Sequence, residues 1–442
     1  MDSPGAMALA ATGSTELTEE VTAASATEMK IAGINWVYEL FSDVSRFVNA
    51  VSQGLTNAGI APSAKHFPGH GNTHVDSHLN LPVIMRNKEE LEATELLPFK
   101  SLIDNQISTI MTGHMALPLI TGDDTPCSLS HKITTQLLRE EMKFGGVIVT
   151  DCLEMEAVAK KYGSEGGAVM SLEAGADVVM ICHRMDRQRG AVEATYAAVQ
   201  EGRLSVEGLR TSGERITALK DKFARTSEPL DISKWEAVKE KNAALSKRVY
   251  AAVMSVISDP CGILPIRRED GPVLMFTPQM QSINPAVDDP ESNLRDQEGR
   301  LRNTAGPSYY AFGAAIAQRA AAHHIVYTPE VDLQQSTVEY LQSASAIIFA
   351  TRNGFDQGAW QMGYLRKLLA NLCANSSPSQ KKLVLVSTCA PYDVLGLNLE
   401  KEGAPTAAVC ATMEFTVPAL EAMAGVIFGE VEAKGVPPVR IT

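Results

Sequence analysis

Short apolar runs typical of β-strands alternate with amphipathic, helix-like segments over roughly the first 225 residues of this 442-residue chain. The runs fall at residues 33–38, 64–67, 109–114, 147–150 and 177–182. Segments with helical spacing, such as residues 155–174, lie between them and are long enough to serve as crossovers. This alternation predicts a parallel β/α domain.

The alternation stops at a long helical run, residues 234–256, and then begins again. Strand-like runs at 272–276, 324–327, 346–351, 382–388 and 407–412 predict a second α/β domain. Because 442 residues exceed what one compact core usually holds, two domains are expected. We place a barrel-type domain at residues 1–230, a helical connector at 231–255 and a C-terminal α/β domain at 256–442.

Composition excludes several classes of partner. A formal net charge of -13 argues against nucleic acid or an anionic membrane, since both favour a basic surface. No window of about 18 uninterrupted apolar residues suggests a membrane span. The seven scattered cysteines include no C-x-x-C pair, and the start of the chain has no signal-peptide pattern. These features predict free thiols, a reducing compartment and a cytoplasmic location.

Residues 66–78 concentrate four of the nine histidines of the chain. Pro68, Gly69 and Gly71 interrupt both helical and strand periodicity there, so the segment is predicted to be a loop. It follows a strand directly, which is where enzymes commonly carry catalytic side chains.

Two interpretations of this loop remain open. Asp76 can orient His78 and raise its basicity, as an acid/base pair requires, although such pairs also occur as plain structural hydrogen bonds. His70, His74 and His78 recur every four residues, which suggests a metal site. Convergence of three such ligands would need a helix, and the glycines and proline argue against one, so we predict no metal here.

Two further candidates end the neighbouring strands. Asp151 follows the apolar run 147–150 and would face the active site if the domain is a β/α barrel. It could equally cap the helix that follows, as aspartate often does. His114 ends the third run and could line the same opening or pack beneath it.

Together these segments resemble the active-site signatures of glycoside hydrolase family 3, in its β-N-acetylglucosaminidase branch. The matching stretches are KHFPGHG at 65–71, DSH at 76–78, MTGH at 111–114, VTDCLEM at 149–155 and AGAD at 174–177. The second domain also resembles the α/β sandwich domain of that family, notably at residues 383–393 and 418–429. The resemblance implies an incomplete TIM-type (β/α)8 barrel followed by an α/β sandwich domain.

The resemblance also implies a chemistry. Terminal β-linked N-acetylglucosamine, or a related sugar, would be released with retention of configuration. Asp151 would be the nucleophile, and His78, held by Asp76, would be the acid/base. The implied substrate-binding residues are Lys65, His66 and His114. A small carbohydrate is the only partner expected, without a cofactor or metal, and the oligomeric state is left open.

The chain departs from the family at its start. The family has barrel strands, with an acidic and a basic substrate-binding residue, before the counterpart of residues 4–8, and it has an arginine-bearing loop after the counterpart of residues 33–38. Here residues 39–43 continue into a helix instead. Residues 296–302 resemble the acidic motif only superficially, since they follow no apolar strand. Two alternatives therefore stand beside the hydrolase: a catalytically impaired remnant, and a phosphorylase in which phosphate replaces water.

Overall fold

The computed structural model describes residues 3–40, 45–70, 80–224, 231–280, 305–329, 333–354, 358–375, 381–395, 397–398, 401 and 406–439. The chain forms two compact units. One comprises residues 18–240, and the other combines residues 1–17 with residues 241–442.

The unit at 18–240 is organised around a parallel sheet of five described strands. In chain order these are β1 (Trp36–Leu40), β2 (Ala61–Phe67), β3 (Thr109–Thr112), β4 (Val147–Cys152) and β5 (Val178–Met180). Neighbours in sequence are neighbours in the sheet, all pairs are parallel, and the sheet curls as a partial barrel. Each predicted strand is present, and the prediction of an incomplete TIM-type barrel is confirmed.

Helices occupy the crossovers between these strands. In chain order, the described helices as far as residue 253, including those before β1 and after β5, are α1 (Ala6–Ala11), α2 (Thr15–Ile31), α3 (Ser45–Asn57), α4 (Lys88–Ala93), α5 (Leu96–Asp104), α6 (Pro118–Thr121), α7 (Glu156–Glu173), α8 (Met185–Gln200), α9 (Val206–Phe223) and α10 (Ile232–Val253). A π-helical segment, Lys132–Glu141, precedes β4. Its sequence predicts an ordinary helix, because side-chain spacing does not distinguish the two hydrogen-bond patterns.

The core of this unit lies between the sheet and the helices that pack on it. Ile110 and Ile148 on the central strands are fully buried, as is Phe67, which meets Phe99 of α5 edge to face at 5.2 Å between ring centroids. Because both faces of a parallel sheet are covered, its strands are buried along most of their length, as β3 and β4 are. This packing fixes the strand ends that carry the polar residues.

The other unit contains a six-stranded mixed sheet. Its strands are β6 (Ser255–Ser258), β7 (Val273–Pro278), β8 (Ala322–Tyr327), β9 (Ala346–Thr351), β10 (Lys382–Ser387) and β11 (Ala408–Ala411), in the spatial order β6, β11, β10, β9, β7, β8. Its helices are α11 (Gly306–Arg319), α12 (Gln335–Ser343), α13 (Trp360–Asn375) and α14 (Val417–Ile427). The predicted α/β sandwich domain is confirmed.

One strand of this sheet is absent from the sequence prediction. The helical pattern predicts that residues 255–256 end the long helix, whereas α10 ends at Val253 and β6 begins at Ser255. Ser255 pairs antiparallel with Ala411, so strand pairing over a long sequence separation overrides the local helical pattern.

The first residues of the chain belong to the second unit rather than to the barrel-type domain. The backbone N–H of Gly5 donates to the carboxylate of Glu414, which also accepts from the Tyr250 hydroxyl at 2.8 Å. Val436 donates its backbone N–H to the carbonyl of Ala11 at 2.9 Å. The contact between Gly5 and Glu414 joins residues 409 positions apart in the chain, which composition and periodicity do not reveal.

Among the described helices, none is both long and apolar enough to cross a membrane. The six cysteines whose side chains are described are free thiols; Cys127, Cys152 and Cys410 are buried.

Candidate active site

Polar side chains from successive strands meet at one edge of the parallel sheet. His66 is near the end of β2, His114 lies two residues past β3, and Asp151 is the next-to-last residue of β4. Since parallel strands place their carboxyl ends at the same edge, these residues converge although up to 85 positions separate them.

Asp151 and His66 form the centre of the site. Nε2 of His66 lies 3.2 Å from Oδ2 of Asp151, and the backbone N–H of Cys152 donates to Oδ1 at 2.8 Å. The His66 and Asp151 side chains are 14% and 17% exposed, so they are largely enclosed yet reachable. The alternative role of Asp151 as a helix cap is wrong, because α7 begins at Glu156 with Met155 as its N-cap residue.

This environment keeps Asp151 ionised. Burial alone would raise the pKa of its carboxyl group, but the hydrogen bond and charge of His66, the charge of His114 and the Cys152 N–H together lower that pKa to about 2. At neutral pH the site therefore holds a carboxylate with an imidazole N–H directed at one oxygen.

His114 is buried and bonded to protein atoms through both ring nitrogens. Nδ1 lies 2.7 Å from the Ser128 hydroxyl and Nε2 lies 2.9 Å from the carbonyl oxygen of Cys152. A carbonyl only accepts, so Nε2 carries the proton and Nδ1 accepts from Ser128 when the ring is neutral. His114 thus joins the end of β3 to the residue after Asp151, and it does not line the opening directly.

A glycine allows β2 and β3 to approach each other at this point. A Cβ atom on Gly113 would lie 2.8 Å from Cβ of His66 and 2.7 Å from Cε of Met115. The first of these contacts cannot be relieved by rotating a flexible chain end. Gly113 therefore leaves the space that His66 occupies beside Asp151.

The rest of the histidine-rich segment is described only in part. His70 lies beside His66, with 5.9 Å between ring centroids. Lys65 precedes His66 on β2 and is half-buried. Asp76 and His78, the predicted acid/base pair, and His74 lie outside the described residues, so their predicted roles remain predictions.

Sequence reasoning missed two residues that shape the site, Ser128 and Glu154. Ser128 holds His114. Glu154, within the VTDCLEM stretch, accepts backbone N–H bonds from Cys182 at 2.9 Å and His183 at 2.6 Å. Glu154 thereby ties the segment after β4 to the segment after β5. An acidic residue three positions past the nucleophile candidate was the available signal, but nothing local in the sequence identifies its partners.

A buried ion cluster supports β4 from its other end. Asp177 accepts from Arg139, from Arg215 at 2.9 Å, from Ser212 at 2.7 Å and from the backbone N–H of Ile148 at 2.8 Å. The side chain of Asp177 is 0% exposed. The cluster anchors the strand that carries Asp151.

The fold and the site agree with a family comparison. Residues 39–219 match the glycosyl hydrolase family 3 N-terminal domain. Over these residues the chain is similar to glycoside hydrolase family 3.

Individual relatives specify the branch of that family. β-Hexosaminidase A of Pseudoalteromonas piscicida is 27% identical over 412 residues, which is 87% of this chain and 66% of the relative. The β-hexosaminidase of Neisseria meningitidis serogroup B is 38% identical over 143 residues, 32% of this chain and 39% of the relative. The resemblance to the β-hexosaminidase type of family 3 enzyme is therefore confirmed.

A solved structure of a family 3 enzyme is also similar to this chain. A fungal multi-domain family 3 β-N-acetylglucosaminidase with a GCN5-related glucosamine N-acetyltransferase region superposes with a TM-score of 0.80 and 29% sequence identity. The match covers 100% of this chain and 51% of that one. The chain thus spans between about two fifths and two thirds of the length of these proteins.

Proposed function

We propose that this protein is a retaining, exo-acting glycoside hydrolase that removes terminal β-linked N-acetylglucosamine, with Asp151 as the nucleophile. The observation that carries the proposal is an enclosed carboxylate at the end of β4, bonded to His66 and held ionised by its surroundings. The similarity to a β-hexosaminidase and to a β-N-acetylglucosaminidase supports the substrate class.

In the first step a carboxylate oxygen of Asp151 attacks the anomeric carbon while the bond to the leaving-group oxygen breaks. The leaving oxygen takes a proton from His78, assigned from the resemblance. In the second step His78 removes a proton from water, the water oxygen bonds to the anomeric carbon, and the carboxylate of Asp151 is released. Two displacements retain the β configuration.

His66 has two roles in this proposal. Its N–H bond to Asp151 favours the ionised nucleophile, and its place with Lys65 at the strand end suits contact with sugar hydroxyls. Such contacts accelerate the reaction only if they are stronger in the oxocarbenium-like transition state than with bound substrate. His114, which the resemblance implies as a sugar ligand, has a different role in this proposal, because it positions the backbone beside Asp151.

The test is hydrolysis of a chromogenic β-N-acetylglucosaminide by the purified chain and by two matched variants. Asp151→Asn removes the nucleophile with little change in volume. Asp124→Asn makes the same change at an exposed surface carboxylate that pairs with Lys161. We expect activity in the wild type and Asp124→Asn, and loss of several orders of magnitude in Asp151→Asn.

Three other outcomes would contradict the proposal in different ways. Equal background rates in all three proteins would identify a non-catalytic remnant. Release of sugar 1-phosphate that depends on added phosphate would identify a phosphorylase. Full activity in Asp151→Asn would show that another residue is the nucleophile.

A further inference from the structure

A cluster of metal-ligating side chains lies immediately beside Asp151. Sγ of Cys152 is 3.8 Å from Oε2 of Glu154, and Nδ1 of His183 is 3.1 Å from the same oxygen. The sulfur, nitrogen and oxygen all lie within 4.8 Å of one another. The three residues come from the end of β4 and from the segment after β5.

The separations of 3.8 Å from Cys152 Sγ and 3.1 Å from His183 Nδ1 to Oε2 of Glu154 are close to those between ligand atoms around a tetrahedral zinc ion. Zinc bonds of about 2.0 to 2.3 Å to nitrogen, oxygen and sulfur place ligand atoms roughly 3.3 to 3.8 Å apart. A cation between Nδ1 of His183 and Oε2 of Glu154 would replace the proton that the two atoms now share, with Cys152 as the third ligand. The side chain of His183 is 78% exposed, which gives the cation a path from solvent.

A thiol, an imidazole and a carboxylate together suit a thiophilic cation rather than magnesium or calcium. Glu154 is held in place for the role, because the backbone N–H groups of Cys182, His183 and Arg184 all donate to its carboxylate.

We propose that Cys152, Glu154 and His183 form a binding site for Zn²⁺ or a similar thiophilic divalent cation. The site lies outside the catalytic step described above and leaves a position open for water or another ligand. Because Cys152 follows Asp151 directly in the chain and donates its backbone N–H to that carboxylate, a bound cation would draw negative charge away from the nucleophile. We infer that the cation inhibits the enzyme; this part rests on the proposed function.

Binding is tested first by a readout that does not need activity. Cd²⁺ is titrated into the full chain, and the thiolate-to-cadmium absorption band is recorded. Cys152→Ser and His183→Ala test the site, while Cys261→Ser removes an exposed thiol elsewhere in the chain. We expect one saturable equivalent in the wild type and in Cys261→Ser. Each site variant should lose at least roughly tenfold in affinity, since even the partners of metal ligands contribute about 10 to 100-fold.

Two results would overturn the site: a band of unchanged strength and affinity in Cys152→Ser, or no saturable band in the wild type. The side chain of His183 is at the surface, so His183→Ala should fold normally. Loss of cadmium binding in this variant can therefore not be explained by misfolding. Inhibition is measured separately, as the loss of hydrolysis on adding Zn²⁺ to the wild type and its absence in His183→Ala. A chain without hydrolase activity would refute the proposed function, and the cadmium titration would still decide the metal site.

Discussion

Removal of the Asp177 carboxylate should be among the most destabilising single substitutions in the barrel-type unit. Asp177 is fully buried and accepts from two arginines, a serine and the Ile148 N–H. Burial lowers the pKa of Arg139 to about 10, even though the neighbouring Asp177 carboxylate opposes that shift. Asp177→Ala would leave largely buried cations without their counter-charge.

Breaking a buried ion pair in this way costs about 3 to 5 kcal/mol in other proteins. With a slope of about 3 kcal/mol per molar urea for a unit of this size, the unfolding midpoint should fall by about 1 M or more. Trp36 reports on the same unit, since its Nε1 donates to Thr109 in the sheet at 3.0 Å. Tryptophan fluorescence during urea unfolding is therefore the assay.

The matched control is Asp186→Ala, which removes an exposed carboxylate from its pair with Arg184. This change should leave the midpoint almost unaltered, because exposed pairs contribute little. A midpoint in Asp177→Ala equal to that of the control would refute the reasoning that the buried cluster anchors β4.

Three further predictions concern the site and the second unit. The pKa of the Asp151 carboxyl is lowered from 3.8 to about 2, so its stabilising contribution is present above about pH 4 and is lost as the pH falls towards about 2. Over this pH range the part of the free energy of unfolding that Asp151 contributes, measured by urea titration, should fall by about 2 kcal/mol in the wild type and by clearly less in His66→Ala, where NMR should show a higher Asp151 pKa. His114→Ala should reduce kcat by about tenfold to a hundredfold with a smaller effect on KM, because small misplacements at a reacting centre cost that much; Ser128→Ala should show a weaker form of the same kinetic change. Phe349→Ala, at a fully buried position of β9, should lower the free energy of unfolding by about 3 to 5 kcal/mol in calorimetry; a loss below 1 kcal/mol would contradict the core assigned to that sheet.

Local sequence pattern was enough to locate most strands and to place Asp151 at the end of one of them, whereas its role as nucleophile is implied by the family resemblance. Asp151 could be identified because a buried parallel strand is a continuous apolar run and its carboxyl end is where a polar residue becomes accessible. The same pattern could not separate a nucleophile from a helix cap. The position of Met155 as the N-cap of α7 excludes the cap, and the role of nucleophile is a proposal.

The parts that sequence did not reveal depend on long-range contacts. Nothing near His114 in the chain indicates that Cys152, 38 positions later, accepts from its ring. The strand β6 is defined by pairing with β11, and the first 17 residues join a unit that resumes at residue 241. Each of these features depends on which segments meet in space.

Covalent trapping tests the central claim, that Asp151 is the nucleophile of a retaining glycosidase. The purified chain is incubated with a fluorinated N-acetylglucosaminide carrying a good leaving group, which slows release of the glycosyl-enzyme, and the labelled peptide is sequenced by mass spectrometry. The account predicts one sugar per chain, attached at Asp151, and no label in Asp151→Asn. A label on another side chain, or turnover of an ordinary substrate that gives the inverted anomer as first product, would contradict it.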